Sequence, residues 1–488
     1  MNTLSAFQGL RFVVVGLGRE GQALALYLAR HGFPVTATDI QPPKKLGDVV
    51  ASLAEAGVSL VLGEHPLSLL DEADLLFVSP GIPLEIPFLQ AARSQGIPLS
   101  TETRLFCHLC PAPVVGITGS SGKTTTTTLT GKILQAQAEH SGSPRRIWVG
   151  GNIGRPLIEV VDQITADDLV VMELSSFQLE FFHPTLNETV PADRLSGALG
   201  DLLSGWSPAV SAILNITPNH LDRHPSMKEY VQAKRAIIDY QRPTDVMVMN
   251  LDDDMSRTIG RQYPARARWF SLESQLPGGA AIAGDTVALL DAQGNVQPVL
   301  PVAEVKLRGR HNLSNILAAC LLSHAAGASI EAMREVISTF TGVEHRLEPV
   351  RELAGVRYIN DSIATSPERL IAALNSFEEP IVLLAGGRDK HLPWNQAARL
   401  MLYKTRHVIL FGEATEIIAA AVEQARQDIS DAATTLHRCT NLEEAVRLAS
   451  TVARPGDVVL LSPGCASFDA FKDFAERGRV FRELVSRL

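Results

Sequence analysis

Cysteine is scarce and scattered: five in 488 residues, at Cys107, Cys110, Cys320, Cys439 and Cys465. An odd count at that density excludes a disulfide scaffold. Cys107 and Cys110 form a lone CxxC with no second pair at zinc spacing, so they read as ordinary buried thiols. Long apolar runs are missing as well. Nothing approaches the ~18 residues a membrane-spanning helix needs. The opening MNTLSAFQGLRF lacks the basic, apolar and small-residue order of a signal peptide. A cytoplasmic protein with no membrane partner is expected. Basic charge is also short, with 44 Lys and Arg against 53 Asp and Glu and a net charge of −9. A nucleic-acid partner would call for a basic face that this balance does not favour. A small anionic ligand needs only a local cluster of cations.

What is present is the composition of an ordinary globular chain, 45% hydrophobic and 20% charged. A single core rarely grows past about 250–300 residues, so several domains are expected. Short β-branched runs alternate with helix-like segments in three blocks, which predicts an α/β fold with doubly wound parallel sheets. The predicted domains span residues 1–110, 111–342 and 343–488: a Rossmann-like domain, a central domain with a phosphate loop, and a second Rossmann-like domain. Pro111-Ala112-Pro113 reads as the first linker, and a new block begins near Gly342. Residues 184–208 show no clear periodicity and read as a surface insertion without chemistry.

The strongest local signal is Gly119-Ser120-Ser121-Gly122-Lys123-Thr124, after the apolar run ending at Ile117 and before a Thr-rich helix that includes Thr125. Glycines let the backbone turn tightly and aim N–H groups at phosphate oxygens. The helix N-terminus adds partial positive charge. In this loop Lys123 would reach the terminal phosphates and Thr124 a Mg²⁺. The loop is shorter than the general pattern, because residue 117 is Ile rather than Gly. Upstream, Gly16-Leu17-Gly18-Arg19-Glu20-Gly21, with Asp39 further on, matches a dinucleotide fingerprint. It fits any diphosphate-linked nucleotide, or a tight turn with no ligand.

Glu173 closes a strand on the same block as the phosphate loop, where one carboxylate and phosphate oxygens suffice for Mg²⁺. A surface Glu at a helix start is the alternative. His220, in Asn219-His220-Leu221-Asp222, follows another strand and is a candidate for a second metal, though a lone His is more often structural. Lys234, by itself, reads as a solvated surface lysine.

Taken together, these segments resemble the Mur ligase family. They run in the family's order: GLGREG at Gly16, SPGIP at Ser79, GITGSSGKTT at Gly116, GGNIG at Gly151, ELSSFQLE at Glu173 and NITPNHLDRH at Asn215. GRHNLSN at Gly309, HRLE at His345, NDSIATSP at Asn360, GGRDK at Gly386 and SPGCASFDAF at Ser462 complete the series. The resemblance implies an ATP-dependent amide ligase that adds D-glutamate to UDP-N-acetylmuramoyl-L-alanine through an acyl phosphate, acting as a monomer with ATP and two Mg²⁺. It implies that residues 119–125 with Asn315, Arg346 and Asp361 bind ATP. Lys123, Glu173, His220 and Lys234 would be catalytic. Thr124, Glu173, His220 and Lys234, the last as a carbamate, would hold metal. Gly18, Arg19, Glu20, Asp39, Ser79, Pro80, Gly81 and Asn152 would bind the UDP substrate. Thr365, Lys390, Ser467, Phe468 and Phe474 would bind D-glutamate.

Some positions depart from the family pattern. Ile363 stands where some members carry Lys, and Arg19 and Glu20 where others have an apolar residue and Thr. Other readings stay open: another Mur-type ligase, an L-glutamate-adding variant, a nicotinamide-dependent oxidoreductase, or an ATP-hydrolysing switch.

Overall fold

A computed structural model describes residues 4–218, 223–224, 226–307, 309–389, 392–429 and 433–488. The chain divides into two compact units, Met1–Phe340 and Thr341–Leu488. Among the described residues the first unit contains two sheets and the second contains one.

The first sheet is parallel throughout, in the spatial order Ser59–Leu62, Val35–Asp39, Phe12–Val15, Leu75–Val78, Leu99–Ser100. The order reverses beside Phe12–Val15, where open α/β sheets place their ligands. The second sheet has nine strands. Val114–Thr118, the third strand from one edge, lies between Leu169–Glu173 and Val210–Ile213, all parallel. Every residue of Val114–Thr118 and Leu169–Glu173 is buried, as befits strands covered on both faces. Each fully buried Val, Leu or Ile side chain contributes about 1.5–3 kcal/mol, which holds these short runs as strands.

The far edge of this sheet differs from the sequence expectation. Ala280–Ala283, Thr286–Leu290 and Val296–Pro301 form an antiparallel meander instead of continuing the parallel pattern. Gly284, at φ 62°, permits the tight reversal between the first two strands.

The sheet of the second unit has the order Glu348–Leu353, Val356–Asn360, Val458–Gly464, Ile381–Gly386, Thr405–Phe411, Thr435–Arg438. It is parallel apart from the antiparallel edge strand Glu348–Leu353. Separate apolar clusters lie on its two faces.

Residues 184–208 are exposed over much of their length, as their lack of periodicity suggested, but they also reach into the core. They include a 3-10 turn, Pro184–Asn187, and a short helix, Gly197–Leu203, whose Leu202 and Leu203 are buried in the core of the first unit. Asn187 is 3% exposed; its Oδ1 accepts from Leu99 N (2.8 Å) and its Nδ2 donates to Leu99 O (3.0 Å). One amide thereby caps an edge strand as a neighbouring backbone would. The carbonyls of Leu202 and Ser204 also accept from the buried guanidinium of Arg104. Among the described residues no helix is long and apolar enough to cross a membrane. The cysteines are free, and burial pushes the Cys107 and Cys110 thiols up, away from reactivity.

Candidate active site

The Gly/Ser loop leaves the buried strand Val114–Thr118 and enters the helix Lys123–His140. Gly122 sits at φ 81°, and a Cβ there would lie 2.2 Å from Asn315 Oδ1. Both the conformation and the close approach require glycine. Asn315 is buried on the helix Arg310–Ala325, so the expected nucleotide residue from a distant motif does lie against the loop. The loop is pinned from the other side by Asn215. Ser120 N donates to Asn215 O (2.9 Å) and Ser121 N to Asn215 Oδ1 (2.9 Å). Ser120 Oγ also pairs with Tyr230 OH (2.9 Å). Lys123 Nζ donates to Gly119 O (2.8 Å) and Ser120 O (3.1 Å), which keeps its ammonium at the mouth of the loop.

Glu173 ends the neighbouring strand, in register with Ile117. It is 2% exposed; Oε1 accepts from Asn152 Nδ2 (2.9 Å), while Oε2 is buried with no partner among the described residues. A buried carboxylate oxygen lacking a donor is costly unless something cationic meets it. Lys234 comes from the helix Met227–Asp239 and is 1% exposed. Its Nζ donates to Gly119 O (3.0 Å) and Thr118 Oγ1 (3.3 Å), and it lies 4.8 Å from the Tyr230 ring centroid. Burial holds the amine well below its ordinary value; Lys123 pushes it the same way and Glu173 opposes. The solvated surface lysine read from sequence is therefore replaced by a buried one, because the apolar face of its helix packs on the sheet. Among the described residues no group of three or more His, Cys, Asp or Glu forms a metal cluster. The donor set is one carboxylate with hydroxyl and amide neighbours, which suits Mg²⁺ shared with phosphate oxygens.

On the first sheet, Gly16 has φ 90°, and a Cβ on Gly21 would lie 2.0 Å from Gly16 O, so the strand-to-helix turn needs both glycines. Gly18 caps the helix Arg19–Arg30. Ser79 Oγ donates to Gly16 O (2.7 Å), joining the Ser79-Pro80-Gly81 turn to this loop. Both Asp39 oxygens are engaged locally, by Leu17 N (2.7 Å) and Gln41 N (2.8 Å). Arg19 Nη1 reaches across to Gly154 O (2.8 Å) in the loop after Asn152. Glu20 turns inward: Oε1 accepts from Gln178 Nε2 (2.9 Å), which also donates to Thr103 Oγ1 (3.0 Å) beside buried Glu102. Burial pushes both carboxyls up, and the neighbouring Glu20 carboxylate raises Glu102 further.

The remaining expected residues belong to the second unit. Asp361 is buried; Oδ2 accepts from Ser462 Oγ (2.9 Å) and Oδ1 from Leu347 N (3.1 Å). Burial pushes its carboxyl up to about 7. Flanking Arg346, both His345 (φ 63°) and Leu347 (φ 44°) hold left-handed backbone, a strain the surrounding bonds must support. Ser467 is buried, Thr365 and Phe474 are half-buried, and Phe468 is 62% exposed. His220 and Lys390 lie outside the described residues.

Several neighbours were not anticipated. Arg223 pairs with Glu180 (2.6 Å), donates to Ile82 O (3.3 Å) and stacks on Phe177, linking the Ser79 turn to the central sheet. His224 is buried between Phe177 and Tyr230 and bonds Ser176 Oγ (3.0 Å). Burial pushes the Glu180 carboxyl up to about 7 despite Arg223. Tyr230 stands one helical turn before Lys234, a spacing that places both on one face. Asn215 opens the motif containing His220, so its proximity to the loop was signalled there.

Three family models match the chain in sequence. They are the Mur ligase MurD-like N-terminal domain over residues 10–101, the Mur ligase middle domain over 196–323, and the Mur ligase glutamate ligase domain over 345–465. The chain is 44% identical over 480 residues to the UDP-N-acetylmuramoylalanine--D-glutamate ligase of Symbiobacterium thermophilum, covering 98% of each chain. It is 39% identical over 476 residues to that of Clostridium novyi, covering 97% of this chain and 96% of the relative. Among solved structures, MurF from Acinetobacter baumannii gives a TM-score of 0.52 at 18% identity, with 96% of this chain and 93% of that one covered. A pseudomurein peptide ligase type C from Methanothermus fervidus gives 0.50 at 19%, with 98% and 100% covered. At such identities the structural likeness bears on fold alone.

Proposed function

The chain belongs to the Mur ligase family, and on that premise we propose that it joins D-glutamate to UDP-N-acetylmuramoyl-L-alanine with ATP, a step of peptidoglycan precursor synthesis. The observation that carries the chemistry is the meeting of Lys123, Glu173 and Lys234 around one phosphate-type loop.

A carboxylate is a poor electrophile. In this reading the alanine carboxylate of the substrate attacks the γ-phosphorus of ATP, giving an acyl phosphate and ADP. The D-glutamate amine then attacks the acyl carbon and phosphate leaves. Phosphoryl transfer depends mainly on positioning and charge neutralisation. Lys123 would neutralise the transferring phosphoryl group, and the amides at the start of its helix would orient it. Two Mg²⁺ would be held by Glu173 with Thr124, and by His220 with Lys234 as its carbamate; bound there they would offset phosphate charge. The unpartnered Glu173 oxygen supports this assignment, as does the lowered proton affinity of Lys234, since only a neutral amine adds CO₂. Asn315, Arg346 and Asp361 would contact the nucleotide. Gly18, Arg19, Asp39, Ser79, Pro80, Gly81 and Asn152 would bind the UDP-sugar side, with Glu20 beneath it. Thr365, Lys390, Ser467, Phe468 and Phe474 would form the glutamate subsite.

Phosphate release measured with each component omitted tests the proposal. Release that requires ATP, UDP-N-acetylmuramoyl-L-alanine and D-glutamate together is expected. Release independent of the amino acid would point to an ATP-hydrolysing switch. NAD(P) binding without ATP use would point to an oxidoreductase.

A further inference from the structure

The helix Phe474–Ser486 carries a completely buried guanidinium, that of Arg477, at 0% exposure. Its acceptors are carbonyl and hydroxyl oxygens rather than a paired carboxylate. Nε donates to Ser362 Oγ (3.0 Å), and Nη2 to Ser362 O (2.9 Å) and Cys465 O (3.2 Å). Nη1 donates to Cys465 O (3.2 Å) and Ala466 O (3.3 Å). A planar fork of donors with fixed directions dictates where those oxygens stand.

The segments it holds matter more than the bonds themselves. Ser362 lies three residues before Thr365, and its Oγ passes a bond on to Phe474 O (2.7 Å). Cys465 and Ala466 lead directly into Ser467. Ala466 exchanges backbone bonds with Arg388 (2.9 and 3.0 Å), tying in the Gly386–Asp389 turn. In that turn Gly387 has φ 124°, and a Cβ on it would lie 2.2 Å from Ala466 O and 3.0 Å from Arg477 Nη1. One side chain therefore fastens together three separate stretches of chain that carry Thr365, Ser467 and Phe474.

We propose that Arg477 is a positioning residue that sets the geometry of the glutamate subsite without touching the substrate. The inference rests on the ligase reading above. A subsite that orients an amine for attack tolerates displacements of well under about 1 Å before rate and affinity fall. A lysine at this position keeps the charge but presents one nitrogen in place of the fork, so the turns at Ser362 and Cys465 lose their common register. Formation of the acyl phosphate precedes amine attack, and Asp361, the nucleotide residue beside Ser362, has its carboxylate held by Ser462 and Leu347 rather than by Arg477.

The test compares wild type with Arg477→Lys in the full-length enzyme. The KM for D-glutamate is expected to rise about tenfold or more. Single-turnover ADP formation from ATP and UDP-N-acetylmuramoyl-L-alanine, without amino acid, should stay within about threefold. Equal losses in both steps, or an unchanged KM for D-glutamate, overturn the proposal. If Arg477→Lys does not fold, by circular dichroism and thermal melting, Ser362→Ala carries the test. It removes one hydroxyl from the network and keeps the guanidinium. It should raise the KM for D-glutamate by about threefold or more with the ADP step preserved, and an unchanged KM again overturns the proposal. A wild-type enzyme with no D-glutamate-dependent turnover contradicts the ligase reading itself, and this inference with it, before any variant is made.

Discussion

Lys234 is held by a hydroxyl and a carbonyl, with Lys123 and Glu173 exerting opposite electrostatic pulls on it. Burying an amine without a paired carboxylate favours its neutral form, which is the form that can be carbamylated. Lys234→Ala is expected to lose most ligase activity and to regain part of it with added acetate or formate, read as initial rates. Full activity of the variant, with no carboxylate effect, would count against a carbamate. Glu173 offers a second test, because its Oε2 is buried and unpartnered among the described residues. Glu173→Gln keeps the size of the side chain and can keep the Asn152 contact. It should raise the Mg²⁺ concentration for half-maximal rate by about tenfold or more, since a charged ligand is replaced by a neutral one. The sequence marked Glu173 by its place at a strand end. The burial of Lys234 was not legible in the same way, because a lysine four residues after Tyr230 reads as surface until the helix is packed.

Strands made of continuous apolar runs, such as Phe12–Val15 and Ile381–Gly386, were legible from sequence because both faces are buried and every position is apolar. Ser59–Leu62 and Thr435–Arg438 were not, since they are short edge strands of which no position is fully buried. The meander of Ala280–Ala283, Thr286–Leu290 and Val296–Pro301 was hidden by its glycines and prolines, which signal loops as readily as hairpins. Residues 184–208 were misread for a related reason. Their inward contacts are made by single groups, among them the Asn187 amide that stands in for backbone and the carbonyls that meet Arg104, and periodicity cannot report those. Asn187→Ala leaves the N–H and C=O of Leu99 without these partners in a buried setting, at a cost of about 2–4 kcal/mol. A fall of several degrees in the first thermal unfolding transition is expected, and an unchanged midpoint would show that the edge strand does not depend on this cap.

Across the larger unit, Glu20 of the first sheet's helix and Gln178 of the short helix Ser176–Leu179 meet beside Thr103 and Glu102. Burial raises both carboxyls above their ordinary value of 4.5. The folded chain then keeps protons that the unfolded chain releases. Stability from this cluster is complete below that value and declines as pH rises from there toward neutrality and just beyond. Glu20→Gln and Glu102→Gln should flatten the dependence of the thermal midpoint between about pH 5 and pH 8. Equal slopes in variant and wild type would place the titration elsewhere. The placement of Lys123 and Thr124 at a helix start, and of Glu173 at a strand end beside them, was legible because each sits in a contiguous motif. The supports, Asn215, Tyr230, Arg223 and Arg477, emerge only when distant segments are packed together. The most direct measurement of the central claim is mass analysis of the product formed from ATP, Mg²⁺, UDP-N-acetylmuramoyl-L-alanine and either D- or L-glutamate. One amide-linked glutamate added per phosphate released, with D- and not L-glutamate, is the predicted result. ATP consumed with no increase in mass of the UDP substrate would contradict it.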